Sequence, residues 1–256
     1  MSHQQLAKPP ANRPVSDRRP MAYIRAMQAY FFDLDGTLTD SRAGLYPAFR
    51  CGLEAIGVHS VSDAQLKLFL GTPLPQVFRA MRPDVSQDEI DRGMAAFRAL
   101  FERTGIVANE LYPGVIDLLR SIRKRGSVIW VVTSKPQNQA IEVVSFLKLD
   151  RYVAGVIGAG LAETDTKTDL VARALAAAHA DSRAAVMVGD RSYDVVGAIG
   201  NGVLPVGALW GYGSEDELKA AGCRHFAKSP DDFRMAYVET NAGFVESGLA
   251  AAAGRY

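Results

Sequence analysis

Ala29-Tyr30-Phe31-Phe32-Asp33-Leu34-Asp35-Gly36-Thr37 is a short apolar run that ends in two acids, a glycine and a threonine. A continuous apolar run of this length reads as a strand buried on both faces, as in a parallel sheet. Val128-Ile129-Trp130-Val131-Val132-Thr133 and Ala184-Ala185-Val186-Met187-Val188-Gly189-Asp190 repeat the pattern. Val153–Ile157 and Val203–Leu209 are weaker strand candidates. Between the runs, Val115, Leu118, Leu119 and Ile122 share a helical face, as do Leu170, Val171, Ala174 and Leu175. Gly126 and the pair Gly200/Gly202 stand where helices should stop. Strands alternating with helices predict an α/β fold with a doubly wound parallel sheet.

Residues 41–112 break this rhythm. No strand-like run is evident there. Leu45, Phe49, Leu53 and Ile56 form one helical stripe, and Ile90, Met94, Phe97 and Phe101 another. A helical block between the first and second strands reads as an inserted cap, with Tyr112-Pro113-Gly114 marking the return to the core. The expected organisation is a tail at 1–22, a core at 23–40 and 113–240, the cap at 41–112 and a C-terminal tail at 241–256.

The bulk numbers fit a globular chain. Its 256 residues are 48% hydrophobic and 22% charged, with a net charge of +1. That balance points to neither nucleic acid nor a membrane surface as partner, and no stretch reaches the length of a membrane span. Cys51 and Cys223 match no metal spacing and read as reduced thiols in a cytoplasmic protein. Residues 1–22 hold Pro9, Pro10, Pro14 and Pro20, and also Lys8, Arg13, Arg18 and Arg19 against Asp17 alone. With no apolar run there, the expectation is a disordered tail rather than a secretory signal, and Met21 or Met27 are alternative starts.

Three strands end in a reactive polar group, Asp33, Thr133 and Asp190. Open α/β sheets bind ligands beyond the carboxyl ends of their strands, so topology alone would gather these residues. Asp33 and Asp35, two apart in extended chain, point to the same side. Asp33 can attack phosphorus while Asp35 protonates the leaving oxygen and later deprotonates water. Thr133 and the Ser134 N–H, followed by Pro136 at the start of a helix, can hold phosphoryl oxygens. Lys167 in Asp165-Thr166-Lys167-Thr168-Asp169 is a cation of the kind needed where a carboxylate meets a phosphate dianion. Asp190 and Asp194, one helical turn apart, make with Asp33 an oxygen-rich nest suited to Mg²⁺. Each cluster alone has an ordinary reading, as a turn, a capping hydroxyl, a solvated lysine or a capping acid. Their joint occurrence in this order is far more specific.

Asp-Leu-Asp-Gly-Thr, Thr-Ser-Lys-Pro, Lys167 and Gly-Asp-Arg-Ser-Tyr-Asp together resemble the four ordered motifs of the haloacid dehalogenase superfamily. Residues from about 28 to 240 are similar to its phosphatase branch, most of all to phosphoglycolate phosphatases and related nucleotidases. The resemblance implies a Rossmann-like core with a helical cap inserted after the first motif. It implies Asp33 as nucleophile, Asp35 as acid/base, and Thr133, Ser134 and Lys167 as phosphate ligands. It further implies Mg²⁺ on the Asp33 carboxylate, the Asp35 carbonyl and Asp190, with Asp194 in support. Asp35 favours phosphate-ester hydrolysis or a phosphomutase of the β-phosphoglucomutase kind over the dehalogenase branch, which lacks an acid there. A non-catalytic binding protein on the same fold is the remaining alternative.

Substrate choice is expected to lie in the cap. Arg42, Tyr46 and Arg50, four apart, share a helix face beside the first motif. Residues 41–82 carry Arg42, Arg50, Lys67, Arg79 and Arg82 against Glu54 and Asp63, which could attract a second anionic group or simply face solvent. Gly71-Thr72-Pro73-Leu74 and Leu209-Trp210-Gly211-Tyr212-Gly213 resemble family loops near the site. The expected partner is a small phosphorylated metabolite, phosphoglycolate-like or a nucleoside monophosphate, handled by a monomer or homodimer.

Overall fold

A computed structural model describes residues 28–160 and 164–239; the expectations for 1–22 and 241–256, and for Met21 and Met27, lie outside the described residues. The described chain begins with β1 (Ala29–Phe32) and β2 (Thr39–Asp40). Four helices follow: α1 (Arg42–Glu54), α2 (Asp63–Lys67), α3 (Leu74–Met81) and α4 (Gln87–Leu100). After a π-helical turn at Phe101–Gly105 come β3 (Glu110–Leu111), α5 (Val115–Lys124), β4 (Val128–Pro136) and α6 (Gln137–Phe146). Then β5 (Gly155–Ala159), α7 (Lys167–Ala178), β6 (Ala185–Gly189), α8 (Ser192–Gly200) and β7 (Leu204–Ala208) alternate. The described chain closes with α9 (Glu215–Ala220), β8 (Phe226–Ala227), α10 (Pro230–Phe233) and a second π-helical segment, Arg234–Glu239.

Six strands form one parallel sheet in the order β5-β4-β1-β6-β7-β8. This is the expected α/β core. β1 lies at its centre, with Phe32 opposite both Val131 of β4 and Val188 of β6. Its side chains alternate between two buried layers. Phe31 packs with Leu170, Val171 and Met187. Tyr30 and Phe32 pack on the other side with Leu118, Leu119 and Ile122. Each such fully buried side chain contributes about 1.5–3 kcal/mol. The strand order reverses direction at β1, which opens a crevice at the carboxyl end of that strand.

Helices α1 to α4 fall between β1 and β4 in sequence, as anticipated for the helical block. α1 and α4 approach closely at Gly52 and Gly93, where a Cβ on Gly52 would stand 2.8 Å from the Gly93 carbonyl oxygen. Capping boxes start α2 (Ser62 with Gln65) and α4 (Ser86 with Glu89). The chain leaves and re-enters the core through an antiparallel ribbon that pairs Thr39 with Leu111 and Asp40 with Glu110. β3 thus lies inside the stretch where no strand was expected; two residues are too few for a period to show.

Other details depart from the expectations. β4 does not end at Thr133 but runs on to Pro136, with a shift of register after Val132. Pro136, at φ −50° and ψ 136°, is the cap residue before α6 rather than part of its first turn. Cys51 and Cys223 are both free thiols. No helix among the described residues is long and apolar enough to cross a membrane.

Candidate active site

Asp33 follows β1 directly, and its N–H donates to the Val188 carbonyl at 2.9 Å, which extends the sheet ladder by one residue. Gly36 then turns the chain at φ +88°, a conformation open to glycine at little cost, and a Cβ there would overlap the Asp190 carboxylate. Asp190 follows β6, and Asp194 sits in the first turn of α8, where its Oδ2 accepts the Arg191 N–H at 3.1 Å. Asp33, Asp190 and Asp194 are buried, with one carboxylate oxygen of each within 4.8 Å of the others.

Lys167 is the first residue of α7, held by the Thr166/Asp169 capping box. It is buried rather than solvated. Its Nζ stands 2.7 Å from Asp33 Oδ1 and 2.7 Å from Asp194 Oδ1, and donates to the Val132 carbonyl at 3.0 Å. Burial alone would lower its pKa, but Asp194 and Asp33 hold it above the ordinary lysine value. Burial pushes Asp33 up to about 6, opposed by the Lys167 ammonium and reinforced by Asp194. Burial, with Asp33 and Asp194 beside it, pushes Asp190 up to about 8. Asp190 accepts from the Tyr212 N–H at 2.8 Å and the Thr37 hydroxyl at 3.2 Å. Three clustered buried carboxylates, of which Asp33 and Asp194 share one ammonium, leave an excess of negative charge and an all-oxygen donor set, which fits a hard divalent cation.

Above this cluster opens a cleft. Its core side is lined by Asp33, Asp35, Thr133, Ser134, Lys167 and Asp194, and its cap side by Leu45, Phe49, Leu74, Phe97 and Arg98. The structure therefore brings together all the core residues singled out in the sequence, with Asp190 fully buried beside them. Thr133 is buried, and its hydroxyl accepts the Lys135 N–H at 3.2 Å.

The cap residues fare differently. None of Arg42, Tyr46 and Arg50, which were expected to meet the substrate, lines this cleft. Arg42 pairs with Asp40 at 2.5 Å, and Arg50 pairs with Asp63. The reason is rotational. α1 turns its Leu45/Phe49 stripe to the cleft, and residues one position on lie about 100° further round the helix.

Several cleft residues went unrecognised in the sequence. Lys135 and Gln139 line it from the core, Arg98 from α4, and Tyr193 from α8. The only hint for Arg98 was its place next to Phe97 on a stripe read as packing. The two family-like loops do reach the site. Gly71, Thr72, Pro73 and Leu74 line the cleft, and Arg191 donates to the neighbouring Leu70 carbonyl and to Glu217 at 2.9 Å. In the second loop the Tyr212 hydroxyl accepts the Ser41 N–H at 2.8 Å, and Trp210 Nε1 donates to the Thr37 carbonyl at 2.9 Å.

A family model described as haloacid dehalogenase-like hydrolase matches residues 30–208. A 5'-nucleotidase of Pseudomonas aeruginosa is 35% identical over 198 residues, 76% of this chain and 88% of that protein. A phosphoglycolate phosphatase of Vibrio parahaemolyticus is 28% identical over 199 residues, 74% of this chain and 87% of that protein. Among solved structures, Mycobacterium tuberculosis protein tyrosine kinase A (PtkA) is 32% identical, with a TM-score of 0.70 over 83% of this chain and 98% of that one.

Proposed function

This chain belongs to the haloacid dehalogenase-like hydrolase family and is a phosphatase, and from that premise we propose that it hydrolyses a small phosphomonoester through an aspartyl-phosphate on Asp33, with Mg²⁺ as its metal. The observation that carries this reading is the position of Asp33. It directly follows the central strand, contacts Lys167 at 2.7 Å, lies within 4.8 Å of two further buried carboxylates, and opens into a cleft that also holds Asp35, Thr133 and Ser134.

The Asp33 carboxylate attacks phosphorus, and an Asp33–phosphorus bond forms as the ester P–O bond breaks. The bonding pair leaves with the ester oxygen, which takes a proton from Asp35. Water then attacks phosphorus, gives its proton to Asp35, and releases phosphate and free Asp33. The Thr133 hydroxyl, the Ser134 N–H and Lys167 hold the phosphoryl oxygens, and Lys167 offsets the repulsion between nucleophile and dianion. Asp33, the Asp35 carbonyl, Asp190 and Asp194 would hold Mg²⁺, which when bound supplies positive charge to the transferring phosphoryl group.

The names of the relatives direct attention to nucleoside monophosphates and phosphoglycolate-like esters as substrates. The test is a phosphate-release screen over phosphorylated metabolites with Mg²⁺ and no added sugar bisphosphate. Release from a small set of esters is expected. Failure on every ester would overturn the reading, and activity only with a bisphosphate activator would favour a phosphomutase.

A further inference from the structure

We propose that Lys135 is the positioning residue for Asp35, and that the cap holds it in place through Phe101. The inference rests on the reading of Asp35 as the acid and base of the reaction. Lys135 Nζ stands 2.9 Å from Asp35 Oδ2, and the two side chains are only 5% and 13% exposed. The other oxygen, Oδ1, accepts a long, weak hydrogen bond from the Thr39 hydroxyl at 3.5 Å. One carboxylate oxygen is thus tied by an ammonium, and the other is left to carry the proton. Lys135 is itself fixed at both ends. Its backbone N–H donates to the Thr133 hydroxyl at 3.2 Å, and its ammonium lies 4.3 Å from the centre of the Phe101 ring.

The arrangement suits the two proton transfers. Asp35 must present one oxygen to the ester oxygen in the first step and to water in the second. A fixed cation on Oδ2 sets the plane of the carboxyl group and stabilises the carboxylate that forms once the proton has left. Phe101 begins the π-helical turn that follows α4 and is fully buried against Phe97. The ring that packs against the Lys135 ammonium therefore belongs to the segment between α4 and β3, and the aim of Asp35 depends on how that segment is seated. A lysine that gripped the phosphoryl group directly would serve every ester equally, which separates the two roles.

The test compares phenyl phosphate with 4-nitrophenyl phosphate in the full chain with Mg²⁺. The esters are similar in size, but phenoxide needs a proton to leave far more than 4-nitrophenoxide does. kcat/KM reports only steps up to departure of the leaving group, so it isolates the acid role. Lys135→Met is expected to lower kcat/KM on phenyl phosphate by about 100-fold. On 4-nitrophenyl phosphate the loss should stay below about 5-fold. The same variant should show a burst of 4-nitrophenol, because the second proton transfer slows as well. Phe101→Leu should follow in the same direction with smaller losses. If Lys135→Met does not fold by circular dichroism, Lys135→Gln gives the same comparison. Equal losses on the two esters would overturn the inference and leave the phosphatase reading standing. No release from either ester by the unaltered chain would overturn both.

Discussion

The Lys167 ammonium stands 2.7 Å from the nucleophile candidate Asp33 and is shared with Asp194 at the same distance, so one cation serves two of three clustered acids. Lys167→Met removes it. In metal-free protein the variant should lose about 3–5 kcal/mol of stability, the cost of leaving buried charge unpaired. Mg²⁺ should restore part of that loss but not phosphate release. Denaturant melts with and without Mg²⁺, beside a phosphate assay, check both halves.

Asp33→Asn should fold normally and lose turnover by roughly 10⁴-fold or more, since the amide keeps the shape but not the nucleophile. Peptide mass spectrometry of the acid-quenched unaltered enzyme should find phosphate on Asp33. Phosphate on any other residue would refute the assignment.

The metal-free protein should lose stability as pH rises. Asp33 is raised to about 6 and Asp190 to about 8, above their value of 3.8 in the unfolded chain, chiefly by burial. Between these limits the folded state binds more protons than the unfolded one. Their stabilisation is therefore full below about pH 4 and lost as pH climbs through 6 and 8. Bound Mg²⁺ should cancel the penalty, so the Mg²⁺-induced rise in Tm should be larger at pH 8 than at pH 5. An equal rise at both pH values would contradict this.

Among cap arginines, Arg98 should matter to substrate choice and Arg42 and Arg50 should not. Arg98→Ala should lower kcat/KM for the best metabolite by roughly 5- to 150-fold, and for 4-nitrophenyl phosphate much less. Arg50→Ala should leave both rates nearly unchanged and cost less than about 1 kcal/mol, since its ion pair with Asp63 is exposed and outside the cleft. The paired rate constants for each variant decide the matter, and a selective loss in Arg50→Ala would return specificity to α1.

The centre of the fold was legible because β1 and β6 are buried on both faces, and β4 along most of its length, so that they read as unbroken apolar runs. β2, β3 and β8, of two residues each, carry no periodic signal and were missed. The extension of β4 to Pro136 was missed because Thr-Ser-Lys-Pro reads locally as the start of a helix. Lys167 stood out only as part of an ordered set, because a lysine in a first helical turn carries no local mark of burial.

By itself the sequence determined the chemical groups and their meeting place. Strands that alternate with helices run parallel, so Asp33 and Asp190, which follow β1 and β6, and Thr133 of β4 come to the same edge whatever their separation along the chain. Only the tertiary structure decided which face of α1 meets the cleft, that Arg98 rather than Arg42 or Arg50 lines it, and that Lys135 turns toward Asp35 beneath Phe101. Helical periodicity places side chains relative to one another on their own helix. The rotation of that helix against its neighbours is set by packing with residues distant in sequence, such as Gly52 against Gly93.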